Sequence, residues 1–369
     1  MKKILKKQKG ISITEAIVAI SITLAISSIV IHFIFNSWSN NTILTTRALI
    51  KDKTQMAINR ISRHISRSKR LFDNTTVGNN YLSKIDTQDS SYRQPINSSV
   101  LPNIDAIGSL SPSKINDPDN PFNPNNSGNC LLFAEFIGSI NREFPDSLSP
   151  KPIFDIYQFT YYYLSKDTKG MDKESRYFMV GTNKYHCIDL IEWISVKYID
   201  YTQLKNYLEN ETDNGKKTTV LNTLKNNGIE GAWDKSCNTP NDAFFNIDNT
   251  ASGLPSKKAS DYKIPKSLQG NVLGLGKDEV TYTIAYNSHP TDFPIDIPVP
   301  LFPTPNPSSS PTPDPRKSYS DKFPNGFEVM IVGPNSGRSV YTRLTVVGKP
   351  PKSTFISQSF SLITYARDL

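Results

Sequence analysis

Residues Ile11 to Phe35 read ISITEAIVAISITLAISSIVIHFIF, an apolar run interrupted by one acid, Glu15. About 20 helical residues cross a bilayer, so the run is long enough to span one. A carboxylate inside such a segment costs about 2.5–3.5 kcal/mol on insertion scales and calls for a cationic partner. Ahead of the run stands MKKILKKQKG, whose Lys2, Lys3, Lys6, Lys7 and Lys9 lead to Gly10. Scission after Gly10 would create a new cation close to Glu15, the α-amino group of Ile11.

A secretory signal peptide has a charged start and a short apolar core, with a small-residue cut site behind the core. Here the apolar run is longer and no such site follows it. A plain single-pass anchor fits the length but does not explain a lone acid placed just behind a glycine at the cytosolic edge. The arrangement of lysines, Gly10, Ile11 and Glu15 resembles the N-terminus of type IV prepilins and pseudopilins. The resemblance covers about the first forty residues. It implies that a membrane peptidase cuts after Gly10 and methylates Ile11, and that Glu15 pairs with the terminal amine of a neighbouring subunit during filament assembly. Two residues depart from the family pattern: Ile11 stands where Phe is more usual, and His32 stands where major pilins carry a helix-breaking Pro. A lesser similarity lies in GFEVMIVGPNSGRSVYTRLTVVG. That passage is similar to the C-terminal region of cyanobacterial pseudopilins linked to hormogonium polysaccharide secretion.

Charge bears on partners only through its location. The chain carries a formal +8, with five of its lysines in the decapeptide. From Leu71 onward acids outnumber bases by three. The head is therefore not a polybasic nucleic-acid domain. Lysines ahead of the apolar run place Met1 on the cytoplasmic side and the bulk of the chain outside.

Beyond Phe35 the helical signal continues without Gly or Pro until after Val77. Ile43, Ile50, Ile58, Ile61, Ile65 and Phe72 share one face at helical spacing, with Arg60, Arg63, Arg67 and Arg70 opposite. The arginines read as a solvated face or a subunit contact. Residues Asn74–Asn129 read as a polar connection; its Asp117 and Asp119 lack the other positions of a calcium loop. From Cys130 the signal turns to strand in CLLFAEFI, IFDIYQFTYYYL, RYFMVG and HCIDLIEWISVKYI. Tyr161, Tyr162 and Tyr163 read as strand residues packed on both faces. Tyr201–Asn227 is helix-permissive and Gly228–Ser260 reads as irregular. DEVTYTIAY is a further strand, followed by ten prolines between His289 and Pro315 that favour an extended, exposed loop. GFEVMIVGP, RSVYTRLTVVG and STFISQSFSLITYARDL close the chain as strands.

Three cysteines in an exported head permit one disulfide. Cys130 lies in an apolar strand and reads as a small buried hydrophobe, free of any bridge. Cys237 lies in a polar loop that gains from a tether, which favours Cys187–Cys237. Catalytic and metal motifs are absent: there is no GxSxG, HExxH, P-loop, dinucleotide fingerprint or Cys/His metal spacing. Asp155, Asp189 and Glu192 read as strand acids facing the surface or hydrogen-bonded. No enzyme, cofactor or metal is expected.

The expected fold class is α+β. A long N-terminal helix, transmembrane in its first half and amphipathic in its second, packs on an antiparallel β-sheet head with long irregular loops. The expected boundaries are a leader at 1–10, a transmembrane or filament-core helix at 11–35, an amphipathic stem at 36–72 and a head at 73–369 with a proline-rich loop at 289–315. The expected function is that of a minor pilin or pseudopilin. Its partners would be the prepilin peptidase, other pilins or pseudopilins, the inner-membrane assembly platform, lipid along 11–35, and polysaccharide or DNA as cargo of the machine. The alternative is a membrane-anchored binding or adhesion protein that does not polymerise.

Overall fold

A computed structural model describes residues 12–87, 93–96, 99–107, 127–166, 177–180, 183–247, 254–273, 281–284, 326–349 and 356–366. Helix α1 (Ile13–Ile65) is unbroken over 53 residues, about 80 Å at 1.5 Å per residue. The lack of Gly and Pro explains its continuity. It ends at Ile65, where the Ser66 N–H bonds to the Ser62 and His64 carbonyls. This corrects the expected stem of 36–72. Ser68–Phe72 is a strand, β1, paired antiparallel with β3 (Leu131–Ile140). Leu71 and Phe72 enter different apolar clusters. Neighbouring residues reach opposite faces in a strand, whereas a helix places them on adjoining ones.

After β1 come α2 (Thr76–Lys84), β2 (Ile104–Asp105) and β3, then β4 (Phe154–Lys166), the hairpin β5 (Tyr177–Val180) with β6 (Asn183–His186), β7 (Ile188–Ser195) and β8 (Lys197–Asp200). Helices α3 (Tyr201–Asn210) and α4 (Asn214–Asn226) follow, then β9 (Ile229–Trp233), the short α5 (Pro240–Ala243), β10 (Phe244–Phe245) and β11 (Lys266–Leu273). The chain returns with β12 (Thr281–Ile284), β13 (Phe327–Val332), β14 (Arg338–Lys349) and β15 (Ile356–Ala366). The stretch 228–260, expected to be irregular, thus contains β9, α5 and β10.

The head has two main sheets rather than one. The first runs β1-β3-β4-β8-β9-β10, with β7 also on β4 and β11 on β7. β8 pairs with β4 at Ile156 and Tyr157, and β7 pairs with it from Thr160 to Lys166. The strand thought continuous through HCIDLIEWISVKYI therefore breaks at Val196, whose N–H donates to the Pro265 carbonyl. β8 and β9 are parallel, as a crossover through α3 and α4 requires. The second sheet runs β12-β14-β13-β2, with β15 on the other side of β14. Its β13–β2 pairing is also parallel.

Strand alternation sorts the side chains. Along β4, Tyr157, Phe159, Tyr161 and Tyr163 enter one cluster with Phe72, Tyr81, Trp193 and Trp233. Tyr162 and Leu164 face the other way, toward α1. That second cluster joins Ile50, Ala57, Ile58, Ile61 and Ile65 of the stem to Phe133 and Leu190 of the first sheet and to Val329, Val340 and Leu344 of the second. The C-terminal half of α1 is thus a shared core element of both sheets.

Candidate functional site

Glu15 sits at the third helical position of α1. Its Oε2 accepts the Ser12 N–H at 2.9 Å while Ser12 Oγ accepts the Glu15 N–H at 3.2 Å. This is a capping box. Its Ser-x-x-Glu spacing is visible in the sequence and fixes the helix start. Glu15 thus has a local role in its own helix besides the charge it carries. Gly10 and Ile11 lie outside the described residues.

Downstream of Glu15 the helix is bare. Ile17, Val18, Ile20, Leu24, Ile29 and Phe33 are among its exposed apolar side chains. By length and composition this part can cross a membrane, and none of the span is covered by the head. Two of its hydroxyls are satisfied within the helix: Ser21 donates to the Ile17 carbonyl at 2.9 Å and Thr23 to the Ala19 carbonyl at 2.8 Å. Polar groups in hydrocarbon require such internal partners. A single-pass anchor is compatible with this segment.

The second half is seated by charge as well as by isoleucine. Arg60 donates from Nε to Glu192 Oε1 at 2.9 Å and from Nη2 to the other oxygen. His64 Nδ1 lies 2.9 Å from Glu135 Oε1, and its Nε2 lies 3.7 Å from Glu192. Tyr162 donates to Glu192 at 2.6 Å and Thr160 to Glu135 at 2.9 Å. Burial, reinforced by Glu192, pushes the Tyr162 hydroxyl far above its ordinary range, so it stays protonated and donates. Both carboxylates are buried, with side-chain exposure of 2 %. Glu192 is therefore not a surface acid but the keystone of the stem's seat. Among the described residues, no group of three or more His, Cys, Asp or Glu side chains could hold a metal ion.

The arginine stripe divides. Arg63 and Arg67 are exposed, whereas Arg60 holds Glu192. Arg70 lies on β1, where it donates to the Lys235 and Cys237 carbonyls at 2.7 and 2.8 Å. Asp155 accepts from Ser139, and Asp189 from Asn271. Asp117, Asp119 and the 289–315 loop lie outside the described residues.

The Cys187–Cys237 pair is corrected: neither residue is in a disulfide, and nor is Cys130. Cys187 precedes β7 beside Lys166, and Cys237 follows β9 near the Tyr157 end of β4. Those ends of β4 are roughly 30 Å apart at strand rise, whereas bridged Cα atoms lie about 5.5 Å apart. The Cys237 thiol lies 3.2 Å from the Thr239 carbonyl and donates to it.

No family model, curated protein or solved structure matches the chain. The functional reading rests on the N-terminal helix and its seat.

Proposed function

We propose that this chain is a minor pilin or pseudopilin, a structural subunit of a type IV pilus-like or secretion pseudopilus filament that matures by scission after Gly10. The observation that carries the reading is the division of α1. One continuous helix has a bare apolar half headed by Glu15 and a half built into the core of the head. A subunit drawn from lipid into a filament needs that combination, because the same apolar surface must serve in both surroundings. In this reading the N-terminus faces the cytoplasm and the head lies outside the inner membrane. The peptidase, neighbouring pilins and the assembly platform act on residues 1–35, and polysaccharide or DNA is cargo of the machine. The role is structural rather than catalytic.

Mass spectrometry of the mature protein tests it. The expected N-terminus is methylated Ile11, and any other terminus sinks the reading. Glu15→Ala should leave scission intact and reduce incorporation into filaments.

The capping box favours a second reading, a membrane-anchored binding protein that does not polymerise. There Glu15 serves only its own helix. That reading expects an uncut N-terminus and no co-purifying filament components.

A further inference from the structure

Among the described residues, the second sheet ends in a strand whose outer edge is unguarded. β15 is eleven residues long, ISQSFSLITYA, with no charge, proline or glycine. It pairs with β14 in unbroken register from Arg338↔Ala366 to Gly348↔Ile356. Among the described residues its outer edge has no partner strand. Every other sheet edge in the described residues is short or charged. β2 and β10 have two residues each and β12 has four. β1 carries Lys69 and Arg70, and β11 carries Lys266 and two register shifts. Short length, edge charge and irregularity all hinder pairing with another chain, and β15 has none of them. Phe360, Leu362 and Ile363 are only partly buried along it, and Tyr365 is 75 % exposed.

The direction of the strand narrows the partner. Gly348, opposite Ile356, is packed so closely on Ile50 that a Cβ there would strike its Cδ1. Thr364 donates to the Ser62 hydroxyl at 2.8 Å. β15 therefore runs alongside α1 in the same direction. Two copies joined symmetrically through this edge would pair antiparallel and point their anchors in opposite directions. Copies held in one membrane cannot do so, a step that rests on the anchor reading above.

We propose that the outer edge of β15 accepts an extended strand from a different subunit of the same membrane-anchored assembly. That strand is uncharged and presents apolar side chains on the stem side, next to Phe360 and Leu362. Backbone hydrogen bonds supply the affinity and the alternate side chains the selectivity.

Hydrogen exchange read by mass spectrometry tests this on the full chain, in its native membranes and purified in detergent. Exchange across 356–366 should be at least tenfold slower in the membranes, with β14 equal in both. Equal exchange of β15 overturns the proposal. Raising the purified protein's concentration a hundredfold should leave β15 exchange unchanged; protection that grows with concentration makes a second copy the partner and also overturns it. Ile363→Lys should abolish the membrane protection while β14 stays protected. Tyr365→Lys, at the more exposed position, serves if Ile363→Lys unsettles β14, and retained protection in it counts against the proposal. An uncut N-terminus would overturn the filament reading without altering these exchange rates.

Discussion

At the scale of single residues, two buried charges make testable statements. Arg60 is half exposed while Glu192 is buried, so removing the arginine strips a nearly dry carboxylate of its bidentate partner. Hydrogen bonds to charged groups contribute about 1.5–3 kcal/mol, and solvent screening at Arg60 places the loss toward the lower end. Arg60→Ala should therefore destabilise the head by about 2 kcal/mol, checked by thermal unfolding in detergent. Glu328 lies across from Arg343 in the second sheet. Burial pushes its carboxyl up to about 7, with Arg343 at 3.5 Å opposing. The folded state thus holds this proton more tightly than the unfolded chain does. Its stabilising effect is complete below the ordinary 4.5, falls as pH rises from there to about 7, and is gone above. The melting temperature should drop between those limits, and Glu328→Gln should flatten the drop.

At the scale of elements, α1 contains two chemically different surfaces. Ile61 is fully buried, so Ile61→Ala should cost about 3 kcal/mol of head stability. Ile26 is exposed, and Ile26→Ala should change head stability by less than about 0.5 kcal/mol. Parallel thermal melts of the two variants distinguish them. Much of this was legible from isoleucine spacing, because the 3.6-residue period puts Ile50, Ile58, Ile61 and Ile65 on one side whatever the partner is. The end of the helix was not, because Phe72 suits the helical count and the strand equally well. Pairing with β3, about sixty residues downstream in the chain, decides between them. The seat was illegible for the same reason: Glu135 and Glu192 reach Arg60 and His64 only through strand register. The expected disulfide failed because loop polarity shows where a tether would help but not how far apart the two ends lie.

At the scale of the whole molecule, burial on α1 begins only at Thr46. A chain starting at Asn36 should therefore melt within a few degrees of the full protein, about the shift expected from sub-kcal changes. One starting at Ser62 loses Ile50, Ala57, Ile58 and Ile61 from the core and should not fold. Circular dichroism on the two truncations checks this. The strands flanking the stem have a mechanical consequence. β14 and β15 lie along α1, and the hydrogen bonds between them run across it. Tension applied along the apolar half of α1 therefore reaches the head as shear, spread over a whole row of bonds at once. A sheet laid crosswise to the stem would instead yield under the same load by unzipping, one bond after another.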